Sequence, residues 1–375
     1  MDKAAERNLL DRLPGLAHAR DELLGRFLGK PDGGNIVGAG FGFKVLDGIQ
    51  TEVPCLRVYV NRKVKPPEKV ARESRIPETT ANGERTDVIA VGREFSSKDL
   101  GIVEVAPGSE RAERGQPGSS IEPIVSVPNV SKSVVGTLGA ILWGAKTKEP
   151  YILTCNHVLS LNGRLPLEVE IVPRGPTDPL DGTKNKITGV TTSVAFKHGD
   201  DNRVDCAVLK VETGDVKPDF PPLIEGGDRT QVFEQPVHAS RGMRVVKFGK
   251  TTGTTFGTIV DVNLSIQVDY SFGTFQFVEQ VLIEADPAKD GKKGWFAADG
   301  DSGAVVIAIP ENMDRNPRRD QSSSGYQNYI YVENPTPVAM VFAPLGGFTV
   351  ACKLISVFKE LRNKMHEELT FAGPY

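Results

Sequence analysis

Three short stretches of the chain carry side chains that could perform nucleophilic catalysis. GDSGAVV places Ser302 in a glycine-flanked turn ahead of an apolar strand, TCNHV contains His157, and NRVDCAVLKV contains Asp205. A serine hydroxyl is a weak nucleophile at neutral pH, so it needs a nearby general base. A histidine can act as that base when a carboxylate fixes its tautomer and stabilises its charged form. The order His, Asp, Ser is that of one known solution of the catalytic triad.

Each of the three stretches also has a purely structural interpretation. A lone histidine after a strand is usually structural, a GDSG stretch can be an ordinary turn, and a buried aspartate often caps a loop. The conjunction of all three favours catalysis, with Ser302 as the nucleophile, His157 as base and then acid, and Asp205 as its orienting carboxylate. The backbone N–H groups of Gly300 and Ser302 would form the oxyanion hole.

Other polar motifs give no sign of a metal or cofactor. The four cysteines lie far apart and form no CxxC pair, so no zinc cluster is expected, and Cys155 and Cys206 are interpreted as small buried residues. FGKTTG lacks the first glycine of a phosphate-binding loop and is interpreted as part of a hairpin. The charged N-terminal stretch lacks the apolar run of a signal peptide or membrane span, so a cytoplasmic protein with reduced thiols is expected.

Composition favours a protein of many short strands. The 375 residues include 39 glycines and 26 prolines, and only 7% are aromatic. The formal net charge of −3 gives no reason to expect a nucleic-acid or membrane partner. A protein or peptide substrate is the expected partner.

The elements that would position these residues divide the chain into four predicted parts. Leucines at helical spacing predict a helical segment over 1–30, as two short helices or one broken at Pro14. A hairpin, a short helix (PPEKVARE) and a returning strand predict a small α/β unit over 31–106, followed by a linker over 107–120. Closely spaced strands and a final helix predict a mainly β domain over 121–375.

With these motifs, the sequence resembles the trypsin-like, chymotrypsin-fold serine proteases. The likeness extends to the intracellular bacterial and plant narrow-leaf type subgroup through QPGSSI, GTLGA and KFGKTTGTTFGTI. The resemblance implies a chymotrypsin-like double β-barrel of two six-stranded barrels, preceded by the α/β unit and the N-terminal helix. His157 and Asp205 would come from the first barrel and Ser302 from the second.

The resemblance also implies where substrate specificity is set. In this family the residue six positions before the nucleophile lies at the base of the primary specificity pocket, which here is Phe296, followed by Ala297. No carboxylate stands there, so an apolar or small residue is expected before the scissile bond. The strand VAMVFA, with Val341 and Phe342, would bind the substrate backbone by β-addition.

The expected function is therefore a serine endopeptidase. The alternative is a protease-fold binding scaffold, with little or no turnover, that holds a partner through the N-terminal unit or the polar 312–328 loop. NIVGAG, at residues 35–40, imitates the new N-terminus of an activated zymogen, but an entire α/β unit separates it from His157. It is interpreted as the start of a strand, with Asp301 held by an internal partner.

Overall fold

The computed structural model describes most of the chain. The PPEKVARE segment, residues 107–114 of the predicted linker and the 312–328 loop lie outside the described residues. The described residues are 3–27, 35–46, 49–64, 75–91, 115–124, 134–174, 186–212, 214, 216–222, 229–232, 235–287, 294–309 and 335–373.

Three helices and nineteen strands are described. The helices are α1 (Lys3–Phe27), α2 (Asn156–Leu159) and α3 (Leu354–Met365). The strands are β1 (Ile36–Leu46), β2 (Ile49–Val60), β3 (Thr86–Ala90), β4 (Ser120–Pro123), β5 (Gly136–Thr137), β6 (Ala140–Gly144), β7 (Pro150–Thr154), β8 (Glu168–Arg174), β9 (Ile187–Ser193), β10 (Ala207–Lys210), β11 (Phe220–Pro222), β12 (Arg229–Thr230), β13 (Arg244–Gly249), β14 (Gly253–Tyr270), β15 (Gly273–Ala285), β16 (Val305–Ile309), β17 (Thr336–Leu345), β18 (Phe348–Lys353) and β19 (Leu369–Thr370). The expected mainly β fold with an N-terminal helix is confirmed.

Helix α1 is continuous, so Pro14 does not end it as the sequence suggested. A proline inside a helix costs about 3 kcal/mol because it removes one hydrogen bond and crowds the preceding turn. The helix offsets that cost by burying Leu16, Leu23 and Leu24, among other apolar side chains, in a cluster shared with β1 and β2. Tertiary packing therefore overrides the local helix breaker.

The predicted N-terminal hairpin is present, and it is joined to a strand much later in the chain. Strands β1 and β2 pair antiparallel, and β3 lies parallel to β2. Strand β1 also pairs with β14 through Gly38 and Ala39. The NIVGAG stretch is the start of this buried strand, as the sequence suggested. The domain boundaries remain a prediction, but β1 to β3 form one sheet with later strands.

Two curved sheets contain most of the described strands, and β11 and β12 form a separate two-stranded sheet. One of the curved sheets has the strand order β19-β6-β7-β10-β9-β8-β4-β5. In the other sheet, β13-β16-β17-β18-β15-β14 form a six-stranded run, and the additional β13–β14 pairing closes it into a barrel. His157 and Asp205 lie next to strands of the first sheet, and Ser302 lies three residues before the start of β16 in the second.

Candidate active site

His157 lies on the short helix α2 and not on the strand that precedes it. Strand β7 ends at Thr154, Cys155 is extended, and the backbone then turns so that the N–H of Leu159 donates to the carbonyl of Cys155 at 3.1 Å. The apolar residues of β7 are buried and fix the base of this turn. The sequence therefore located the anchoring strand correctly but missed the helical turn that presents the imidazole.

Asp205 is fully buried and accepts hydrogen bonds on both carboxylate oxygens. Its Oδ1 accepts from the backbone N–H of His157 at 3.1 Å, and its Oδ2 lies 2.5 Å from His157 Nδ1. The hydroxyl of Tyr270 also donates to Oδ2, at 2.9 Å. A buried carboxylate is stable only when such partners satisfy it. The arrangement directs Nδ1 of His157 toward Asp205 and leaves Nε2 for another partner.

Ser302 lies between two glycines whose backbones occupy the left-handed region. Gly300 has φ of +94° and Gly303 has φ of +101°. A Cβ on Gly300 would lie 2.5 Å from Thr251 Oγ1, and one on Gly303 would lie 2.3 Å from Thr154 Oγ1. Both positions therefore exclude side chains for reasons of conformation and of space. The tight turn keeps Ser302 partly exposed ahead of β16.

The hydroxyl of Ser302 donates to the carbonyl oxygen of Phe342 at 3.3 Å. Within the described part of the chain, no hydrogen bond joins Ser302 Oγ to His157. Asp299 stands three residues before Ser302 in the chain. Burial and the neighbouring Asp301 carboxylate raise the pKa of Asp299, and His157 partly offsets that rise.

The first sheet holds the turn from Gly300 to Gly303 through Thr137 of β5. The N–H of Thr137 donates to the carbonyl of Ser302 at 2.8 Å, and its hydroxyl donates to the carbonyl of Gly300 at 2.8 Å. The same hydroxyl accepts from the N–H of Lys250 at 3.1 Å. Because Thr137 is fully buried, these bonds fix the turn against the sheet that carries His157. Sequence reasoning missed this role, since a threonine in GTLGA carries no signal of a partner so far along the chain.

Asp301 and Lys247 form a buried ion pair directly beside Ser302. Lys247 Nζ lies 3.4 Å from Asp301 Oδ2, and both side chains have no solvent exposure. Burial lowers the pKa of Lys247, and the Asp301 carboxylate opposes that change. Asp301 also accepts from the backbone N–H groups of Thr251 and Thr252, in the β13–β14 turn predicted from FGKTTG. The internal partner expected for Asp301 is thus a lysine on β13.

The turn also leaves two backbone donors uncommitted. Among the described residues, the N–H groups of Gly300 and Ser302 have no hydrogen-bond acceptor, whereas that of Asp301 donates to the carbonyl of Ala298 at 3.0 Å. The N–H of Gly303 donates to the carbonyl of Val341 at 2.8 Å. Uncommitted N–H groups on either side of Asp301 are the kind of donors that an oxyanion requires.

The four residues predicted to form the specificity pocket separate into two apolar clusters. Phe296 is 1% exposed and packs with Ala297 and Val341 inside the second sheet. Phe342 belongs to the other cluster, where its ring centroid lies 4.9 Å from that of Phe277. The interior position of Phe296 leaves its role at the pocket base a prediction, while the Phe342 carbonyl is the part of this group that contacts Ser302.

The cysteines near the site are buried, as predicted. Cys55, Cys155, Cys206 and Cys352 are all free and buried. Cys155 Sγ, a ring nitrogen of His157 and a carboxylate oxygen of Asp205 lie within 4.8 Å of one another. Burial raises the pKa of Cys155 well above its usual range, so the thiol stays protonated. A metal would require the thiolate and would have to separate His157 Nδ1 from Asp205.

Searches with this chain found similarity only among solved structures. No protein-family model and no curated protein matches the sequence. Nocardiopsis protease (NAPase) aligns with a TM-score of 0.41 and 15% identity, covering 68% of this chain and 98% of its own. Cellulomonas bogoriensis chymotrypsin gives a TM-score of 0.39 and 16% identity, covering 69% of this chain and 99% of its own.

Thermobifida fusca protease A gives a TM-score of 0.38 and 15% identity, covering 68% of this chain and 97% of its own. At this level of similarity an activity does not transfer from one protein to another. No helix in the described ranges is long and apolar enough to cross a membrane.

Proposed function

We propose that this chain is a serine endopeptidase that hydrolyses peptide bonds through His157, Asp205 and Ser302. The observation that carries the proposal is the buried Asp205 carboxylate, bonded to both the ring and the backbone of His157. This arrangement would hold the imidazole in the tautomer whose Nε2 accepts a proton. A histidine with a purely structural role does not require a fully buried carboxylate partner such as Asp205.

In the proposed reaction, Ser302 Oγ attacks the scissile carbonyl carbon while His157 Nε2 takes the hydroxyl proton. The N–H groups of Gly300 and Ser302 stabilise the oxyanion of the tetrahedral intermediate. His157 then gives its proton to the leaving amine, the C–N bond breaks, and an acyl-enzyme remains. His157 then takes a proton from a water molecule as the water attacks the ester carbonyl, and it returns that proton to Ser302 Oγ as the ester C–O bond breaks and the acid is released. In the resting chain the Ser302 hydroxyl would have to turn from the Phe342 carbonyl toward His157.

The finer features of the proposal rest on the resemblance described above. They are membership of the intracellular bacterial and plant narrow-leaf type subgroup, a protein or peptide substrate, and an apolar or small residue before the scissile bond. The predicted pocket residues Phe296 and Ala297 include no carboxylate, which supports the preference for an apolar or small residue before the scissile bond. Four free, buried thiols are compatible with a reducing, cytoplasmic compartment.

One observation favours the alternative of a protease-fold binding scaffold. The Ser302 hydroxyl is bonded to the Phe342 carbonyl and not to His157. A protein that only binds a partner could keep this arrangement, whereas an enzyme must leave it in each catalytic cycle. The two functions differ in whether Ser302 reacts covalently.

The test is labelling with a fluorophosphonate, with the modified residue identified by mass spectrometry. We expect a single adduct on Ser302 in the intact chain, with no cleavage between Asn35 and Ile36, because Asp301 already has an internal cation. Ser302→Ala should abolish the adduct. On any cleaved peptide, Ser302→Ala or His157→Ala should lower turnover by roughly 10⁴- to 10⁶-fold, and the double variant should lose little more. Unlabelled wild-type protein would favour the scaffold.

A further inference from the structure

Tyr270 connects the proposed triad to the opposite sheet. His157 and Asp205 flank strands of the first sheet, whereas Tyr270 is the last residue of β14 in the second. Its hydroxyl donates to Asp205 Oδ2 at 2.9 Å, the same oxygen that lies 2.5 Å from His157 Nδ1. We propose that Tyr270 is a positioning residue that fixes the Asp205 carboxylate, and through it the imidazole of His157. This inference rests on the proposed function, since it assigns Tyr270 a part in the same reaction.

The ring of Tyr270 is held in place by other aromatic side chains. Phe272 stacks on it with ring centroids 5.1 Å apart and planes inclined by 10°. Phe196 lies 5.2 Å away and Phe275 lies 6.1 Å away. Aromatic contacts of this kind stabilise a defined ring orientation beyond the area that they bury. The hydroxyl is therefore presented to Asp205 by a packed ring and not by a side chain free to rotate.

Tyr270 is suited to donate and not to ionise. Burial raises the pKa of Tyr270 well above its usual range, and the charge of Asp205 raises it further. The phenol therefore keeps its proton at any pH at which the protein would work. Its hydroxyl acts as a hydrogen-bond donor. Asp205 Oδ2 is the acceptor that the geometry provides.

Tyr270 also limits the movement of the imidazole itself. The rings of Tyr270 and His157 have centroids 5.3 Å apart and planes inclined by 45°. Tyr270 thus contacts both Asp205 and His157, the carboxylate through its hydroxyl and the imidazole through its ring. Without the hydroxyl, Oδ2 would keep one donor among the described residues, in a position with no solvent exposure to replace the other.

The experiment compares Tyr270→Phe with Tyr59→Phe. Tyr59 is a matched control because it is also a buried tyrosine whose hydroxyl donates to an aspartate Oδ2, that of Asp261, at 3.2 Å. Tyr270→Phe keeps the packed ring and removes only the hydroxyl. We expect the rate of fluorophosphonate labelling, and kcat on a cleaved peptide, to fall about 10- to 100-fold with KM unchanged, as for loss of one hydrogen bond to a charged group. Tyr59→Phe should change these rates by less than about twofold. It should shift the melting temperature by about as much as Tyr270→Phe does.

A second measurement separates this inference from the proposed function. In a Ser302→Ala background, which has no nucleophile, the low-field proton resonance of His157 Nδ1–H reports the His157–Asp205 bond directly. We expect Tyr270→Phe to move this resonance and Tyr59→Phe to leave it in place. If Tyr270→Phe moves the resonance but the wild-type protein is not labelled, the proposed function is refuted and the positioning of Asp205 by Tyr270 still stands. An unmoved resonance together with wild-type labelling would overturn the role of Tyr270 and retain the enzyme.

Discussion

Replacement of Lys247 by methionine tests the buried cation that neighbours the proposed nucleophile, Ser302. Methionine keeps an unbranched side chain of similar length but removes the ammonium group, which lies 3.4 Å from Asp301 Oδ2 and also donates to the carbonyl of Gly253 at 3.0 Å. The substitution leaves Asp301 as an unpaired carboxylate with no solvent exposure. Breaking a buried ion pair by removing one partner typically costs about 3–5 kcal/mol.

The local hydrogen bonds of Asp301 decide where in that range the cost falls. After the substitution the carboxylate keeps the N–H of Thr251 at 2.7 Å, the hydroxyl of Thr252 at 2.6 Å and the N–H of Ala298 at 3.0 Å. Hydrogen bonds to a charged group contribute roughly 1.5–3 kcal/mol each, so they retain much of the charge stabilisation. We therefore expect a loss of about 3 kcal/mol in the free energy of unfolding.

The same substitution should slow the reaction of Ser302. Asp301 stands between Gly300 and Ser302, so any shift of its carboxylate moves both proposed oxyanion donors. Loss of one such donor costs about 10²- to 10³-fold in rate, and we expect a fall of about 100-fold in fluorophosphonate labelling. The double variant Lys247→Met with Asp301→Asn removes both charges, so it should be more stable than the single variant.

Urea denaturation and labelling kinetics measure the two effects. Lys250→Met is the matched control, because Lys250 lies in the turn that follows β13 but its side chain is exposed. It should leave both quantities close to wild type. If Lys247→Met matched Lys250→Met in stability and in labelling rate, the buried ion pair would have no part in shaping the turn from Gly300 to Gly303.

Three further predictions concern buried polar groups. Thr137→Val removes a hydroxyl that is hydrogen-bonded to the backbones of Gly300 and Lys250. It should lower the free energy of unfolding, measured by urea denaturation, by about 1–3 kcal/mol and slow the labelling of Ser302. The control Thr191→Val should change both little, because Thr191 Oγ1 is buried without a partner among the described residues. Burial raises the pKa of Cys55 from 9.0 to about 12, so its contribution to stability is present below pH 9.0 and is lost as pH rises through about 12. Cys55→Ala should therefore reduce the alkaline slope of the unfolding free energy by up to about 1.4 kcal/mol per pH unit, measured by denaturation from pH 8 to 11. A thiol reagent should find all four cysteines unreactive in the native protein and reactive in denaturant, and a thiol titrating without denaturant would contradict their burial.

The sequence alone determined the strands and the residues proposed for catalysis. Alternating and continuous apolar runs predicted the strands of the nine-stranded sheet, and β5, β6, β7 and β10 of the eight-stranded sheet, because side-chain periodicity is a local property of the backbone. Strands β4, β8, β9 and β19 were missed. The glycines of GDSG predicted a tight turn, since positive φ values are readily adopted only by glycine. Asp205, placed between apolar neighbours, indicated a carboxylate in need of a partner, and His157 supplies it.

Only the tertiary structure decided what surrounds those residues. Pro14 predicted a break that packing of α1 overrides, and β1 joins a strand more than two hundred residues later in the chain. Lys247 looks like an ordinary polar residue of a strand, yet it lies inside the barrel because Asp301 meets it there. Tyr270 ends a predicted strand with no sign of its target, which lies in the other sheet. Such contacts depend on how the two sheets face each other, and no local pattern of residues encodes that geometry.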